Sequence, residues 1–117
     1  MRLTSDFFVS AYLRRAAIEG AFGALRRRGG TEAGTVFVVV DHLDGTAALY
    51  GPAPMSSYEG KPEDRVFTRL HAAPVLERPA IEARLDKEIR FDPDCWIVEI
   101  EDRQGRHFLD PVIEPGG

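Results

Sequence analysis

"TVFVVVDHLDGTAALYG", residues 35–51, decides the architecture, because every position from Val36 to Val40 is apolar. Successive side chains of a strand point to opposite faces, so such a run must be covered on both sides. Helices can cover one side; the other requires a second layer or another copy of the chain. Asp44-Gly45 between two β-rich runs is a hairpin signal. With these two as the loop residues, Leu43 faces Thr46 and Val40 faces Leu49.

Upstream, "SDFFVSAYLRRAAIEG" (5–20) reads as a helix, with Ser5 as N-cap and Asp6 in the first turn. Phe8, Tyr12 and Ala16 repeat at four-residue spacing beside Val9, Leu13 and Ala17, and Gly20 stops the helix. Residues 21–28, "AFGALRRR", are read as a short strand, since Gly20 and Gly23 would weaken a helix interior. Downstream, "RVFTRLHAA" (65–73) is a strand. "ERPAIEARLDKEIRF" (77–91) is an outer helix with Pro79 in its first turn and a stripe of Ile81, Leu85 and Ile89. "CWIVEIEDRQGRHFLD" (95–110) reads as a closing hairpin. Residues 52–64, rich in Pro, Ser and Gly, form a loop that could act as a lid or contact a partner. The fold class is α+β: an antiparallel sheet of five or six strands with two helices packed mainly on one face. One domain spans 1–111, and 112–117 is a flexible tail.

A chain of 117 residues with 44% apolar and 29% charged residues can bury its own core. The lone Cys95 excludes an internal disulfide and a cysteine zinc cluster, and fits a cytoplasmic setting. No apolar run is long enough for a membrane span. The net charge of −4 makes nucleic acid an unlikely general partner. Its distribution is bipolar: residues 1–40 hold six arginines and three acids, and the remainder holds nine bases and sixteen acids. Such polarity favours a protein partner or head-to-tail association in a homo-oligomer.

Three blocks, "SDFFVSAYLRR" (5–15), "LDGTAALYGPAP" (43–54) and "FDPDCWIVEIEDRQGRHFL" (91–109), occur in this order. Together they resemble a family of short, chiefly alphaproteobacterial proteins known as the domain of unknown function DUF1491. The resemblance covers nearly the whole chain. It implies a single cytoplasmic domain and carries no catalytic residue with it.

The closing segment holds the main candidate site. A three-residue loop, Arg103-Gln104-Gly105, places Gly105 where a left-handed residue is needed. Glu101 then pairs with His107 and Ile100 with Phe108. Trp96, Val98, Ile100 and Phe108 share one face, and Glu99, Glu101 and His107 share the other. Two carboxylates and an imidazole are metal-ligand or acid–base types, although alternating charge on an exposed strand face requires no function. Pro93, Asp94 and Glu99 are faintly like a nuclease motif, but Glu101 occupies the position of its essential lysine. Asp41, His42 and Asp44 are also metal-ligand types, but Asp44 is accounted for by the turn, and Asp41 and His42 are adjacent in the strand and point to opposite faces. Arg14, Arg15, Arg26 and Arg28, with Arg27 between the last two, are candidate anion ligands.

These features favour a non-enzymatic binding or protein-interaction module that can self-associate. One alternative is a metal-assisted hydrolase or nuclease using Glu99, Glu101 and His107. A second is phosphate or nucleic-acid binding through the N-terminal arginines. No cofactor is expected; a divalent metal belongs only to the first alternative.

Overall fold

The computed structural model describes residues 3–30, 33–54 and 65–115. Helix α1 (Ser5–Ile18) leads to β1 (Phe22–Arg27), then β2 (Val36–Asp41) and β3 (Thr46–Pro52). After these come β4 (Phe67–Arg69), β5 (Leu76–Glu77), α2 (Arg78–Phe91), β6 (Trp96–Glu101) and β7 (Val112–Ile113). The strands form one seven-stranded sheet of order β1-β6-β2-β3-β4-β7, with β5 also pairing with β3. Most of the lid or partner loop falls in 55–64, outside the described residues.

The class is α+β, but the sheet is mixed. β6 enters between β1 and β2, antiparallel to the first and parallel to the second. A strand has two edges, and both edges of β6 are filled by these neighbours. The residues after it therefore cannot form the second arm of a hairpin. The turn is still made: Gly105 is left-handed at φ 72°, and its N–H donates to the Asp102 carbonyl at 2.9 Å. Asp102 then accepts the Arg106 N–H at 2.7 Å and the guanidinium at 2.8 Å, and the chain leaves the sheet. It crosses the face as a strap, residues 102–111, and reaches the far edge. There Val112 and Ile113 pair with Phe67 and Thr68, so these two residues belong to the sheet and not to a free tail.

The helices lie on opposite faces, not on one. Val9, Tyr12 and Ala16 of α1 pack with Val36, Val38, Val40, Trp96, Val98 and Ile100. Ile81 and Leu85 of α2 pack with Phe37, Val39, Ala47, Leu49 and Ile97. The apolar run 36–40 of β2 is thus covered on both sides within a single chain. The parallel β2–β6 pair explains this, because joining two parallel neighbours requires a crossover, and α2 is carried over the second face within that connection.

The β2–β3 hairpin exists, shifted by one residue. Val40 pairs with Ala48, and Val39 with Leu49. The loop is Leu43-Asp44-Gly45, and Asp44 accepts the Thr46 N–H at 2.9 Å. This register sends Leu49 to the α2 side with Val39, where the expected one would have mixed faces. Thr4, not Ser5, caps α1, its hydroxyl accepting the Phe7 N–H at 3.2 Å. Ser5 is buried and donates to the Gly34 carbonyl.

Candidate functional site

Glu99 and Glu101 alternate with Val98 and Ile100, so burying the latter on the α1 side turns both carboxylates toward the α2 side. There they meet β1: Glu99 is the cross-strand partner of Ala24, and Glu101 of Phe22. Because α2 lies chiefly over β3 and β5, this part of the face is a groove of about 300 Å³ lined by Phe22, Ala24, Arg26, Arg78, Glu99 and Glu101.

Most of its charge is already matched. Arg26 grips Glu82 with two donors, at 2.8 and 3.0 Å, and reaches Glu99 at 3.1 Å. Arg78, at the start of α2, donates to Glu82 at 2.9 Å and to Glu99 at 3.2 Å. The hydrogen bond to Arg26 holds the Glu82 carboxyl below the usual carboxylate range, and the same bond raises Arg26. Two guanidiniums against Glu82, Glu99 and Glu101 leave one surplus negative charge. It belongs to Glu101, which is partly exposed and makes no ion pair among the described residues. Beside it Phe22 is 66% exposed.

His107 does not join them. It lies in the strap on the α1 side, its ring centroid 5.1 Å from that of Tyr50. Its Nδ1 accepts the Leu109 N–H at 2.9 Å, and the buried Tyr12 hydroxyl donates to its carbonyl at 2.6 Å. Burial lowers the His107 imidazole and raises the Tyr12 phenol. The expected cluster of Glu99, Glu101 and His107 is therefore divided by the sheet, because it required a hairpin for which β6 has no free edge. Among the described residues no group of three or more His, Cys, Asp or Glu side chains could hold a metal ion.

The arginines are likewise dispersed. Arg26 is occupied as described. Arg28 lies 3.5 Å from Asp6 and stacks 5.1 Å over Trp96. Arg27 donates to the Pro93 carbonyl at 2.6 Å. Arg14 and Arg15 sit on the exposed side of α1 and make no ion pair among the described residues, whereas Arg26 and Arg28 of the β1 segment each pair with an acid. Cys95 is buried and burial raises its thiol, the state of an inert packing residue. Asp41 and Asp44 bind the Leu43 and Thr46 amides, as turn residues do. Sequence reasoning missed the Phe22–Glu101 pair. The strand reading of 21–28 held its signal, but pairing with β6 is not visible in the local pattern.

The family described as "Protein of unknown function (DUF1491)" matches residues 3–110. This chain belongs to the DUF1491 family. A crystal structure of a DUF1491 protein from Caulobacter crescentus is 39% identical, with a TM-score of 0.78, over 97% of this chain and 99% of that one. A solution structure of a protein from A. tumefaciens is 38% identical, with a TM-score of 0.81, over 99% of this chain and 98% of that one. No curated protein matches the chain. The function of the DUF1491 family is unknown, and neither solved relative is described by an activity. Among the described residues no helix is long and apolar enough to cross a membrane.

Proposed function

We propose that this DUF1491 protein is a non-catalytic binding module whose groove over β1 and β6 takes a cationic side chain, guanidinium or ammonium, of a protein partner. The observation that carries this reading is the Phe22–Glu101 pair. An exposed ring and a carboxylate that makes no ion pair among the described residues stand directly across two strands from each other. A cation between them gains a charge pair and a ring face together, about 0.5–2 kcal/mol from the ring alone. The neutralised Arg26 and Arg78 argue against an anion in the same place. A volume of about 300 Å³ suits one side chain better than a large cofactor. The reading includes a cytoplasmic setting, supported by a lone buried thiol.

The test is a titration with N-acetyl-arginine amide followed by amide NMR shifts. Saturable shifts clustered at Phe22, Ala24 and Glu101, lost in Glu101→Gln, are expected. An unresponsive groove, or a response unchanged in Glu101→Gln, overturns the reading.

A further inference from the structure

The two ends of the sheet are unlike. The β7 end is a two-residue strand, whereas β1 offers a six-residue edge that, among the described residues, pairs only with β6. An open strand of this length is a template for another strand. Two of the most exposed large hydrophobics of the described chain flank the turn that leads into it: Ile18, the last residue of α1, at 76%, and Phe22, the first of β1, at 66%. Charge is also arranged by position. Glu19 precedes the strand, and Arg26, Arg27 and Arg28 end it.

We propose that this edge binds β1 of a second copy, antiparallel and about a two-fold axis. Antiparallel pairing brings the acidic beginning of each strand to the basic end of the other. In the register that sets Ala24 opposite the second Ala24, Phe22 faces Arg26 and Gly23 faces Leu25, and the turn at Glu19 and Gly20 comes to the end of the partner strand. Glu19 of each copy then lies beside the partner's arginine run. The axis makes every such contact occur twice. Moving the axis to Arg26 would oppose two guanidiniums directly, which destabilises a cross-strand pair. The β1 bulge between Leu25 and Arg27, together with the arginines, discourages indiscriminate strand addition. A copy of the same chain is the partner that supplies a carboxylate at the matching place. The contact, two strands and two pairs of side chains, falls below the roughly 1,600 Å² of a standard interface, so the dimer is weak.

This inference goes beyond the groove reading and concerns the rim of β1 instead of its face. Sedimentation equilibrium of the full chain, from micromolar to millimolar, tests it. The apparent mass should climb from 13.0 kDa toward twice that value. Ile18→Asp and Glu19→Arg should each weaken association at least tenfold, and Arg28→Glu added to Glu19→Arg should restore part of it. Circular dichroism checks that each variant folds, and Ile18, Glu19 and Arg28 are all exposed. A monomer at every concentration overturns the proposal, as does a dimer indifferent to Ile18→Asp and Glu19→Arg. Glu101→Gln should leave association intact, so the two proposals fail separately.

Discussion

On the α1 side, two separate segments divide the sheet between them. The helix lies over β1 and β6, while Phe108, Leu109 and Val112 of the strap and β7 cover the rest. On the α2 side a single helix sits mainly over β3 and β5, and no other described segment replaces it over β1 and β6. The contents differ accordingly. The α1 side holds Trp96 and Tyr12, both fully buried, and the α2 side has a smaller core with a rim of ion pairs. Coverage decides composition: where a segment seals the sheet the strand residues are apolar, and where it stops the same strands carry Glu99, Glu101 and Arg26. The side that carries less of the core is the side on which the groove lies.

Truncating each core should expose this asymmetry most strongly. Trp96→Ala removes the largest buried side chain and a 2.6 Å hydrogen bond to the Gly30 carbonyl. A loss of about 3–5 kcal/mol is expected, against about 2–4 kcal/mol for Leu85→Ala on the α2 side. Urea midpoints measure both, and equal losses would remove the distinction between the two cores. The strap comes next. Tyr12→Phe deletes the donor to the His107 carbonyl and should cost about 1–2 kcal/mol. Hydrogen exchange should quicken first at Leu109, whose amide depends on the His107 ring, and not in α2.

Acid acts on both sides, since burial lowers the imidazoles of His107 and of His71. His71 is fixed neutral, accepting the Leu49 N–H at 3.0 Å on Nε2 and facing the Ala73 carbonyl at 2.7 Å through Nδ1. The unfolded chain therefore takes up protons first. The stabilisation is complete above the unfolded value of about 6.5 and is lost as pH falls through and below it. Urea midpoints at about pH 7.5 and pH 5.5 should differ in that direction, and less in His107→Asn. The smallest effect belongs to the β2–β3 loop, where Leu43 is left-handed at φ 64° and 40% exposed. Leu43→Asn should raise stability by about 0.5–1 kcal/mol, and a lower melting temperature would contradict the strain assigned to it.

Much of this was readable from local pattern. The spacing of Phe8, Tyr12 and Ala16 beside Val9, Leu13 and Ala17 predicts α1, and that of Ile81, Leu85 and Ile89 predicts α2; both helices are present. The strand over 21–28 and the hairpin at Asp44-Gly45 are also present, the latter with its register moved by one residue. The alternation in β6 placed Trp96, Val98 and Ile100 opposite Glu99 and Glu101. What failed was the choice of neighbours for β6. A glycine turn after residue 101 announces a hairpin locally. The competing partners, β1 and β2, lie more than fifty residues earlier and leave no mark in the local sequence. That one pairing decides the sheet type, the opposite placement of the helices and the separation of His107 from the glutamates.

The position of β6 also governs how the chain can be assembled. A nascent polypeptide makes β1, β2 and β3 early, yet β1 has no place in the sheet until the strand between them exists. Every copy must therefore keep a nearly complete N-terminal portion waiting, its valines and aromatics uncovered, until residues 96–101 arrive. Contacts of such long sequence separation fold slowly and leave apolar surface open to aggregation in the meantime. Fragments ending before β6 should be insoluble, while a circular permutant that begins at β6 would have its central strand from the start.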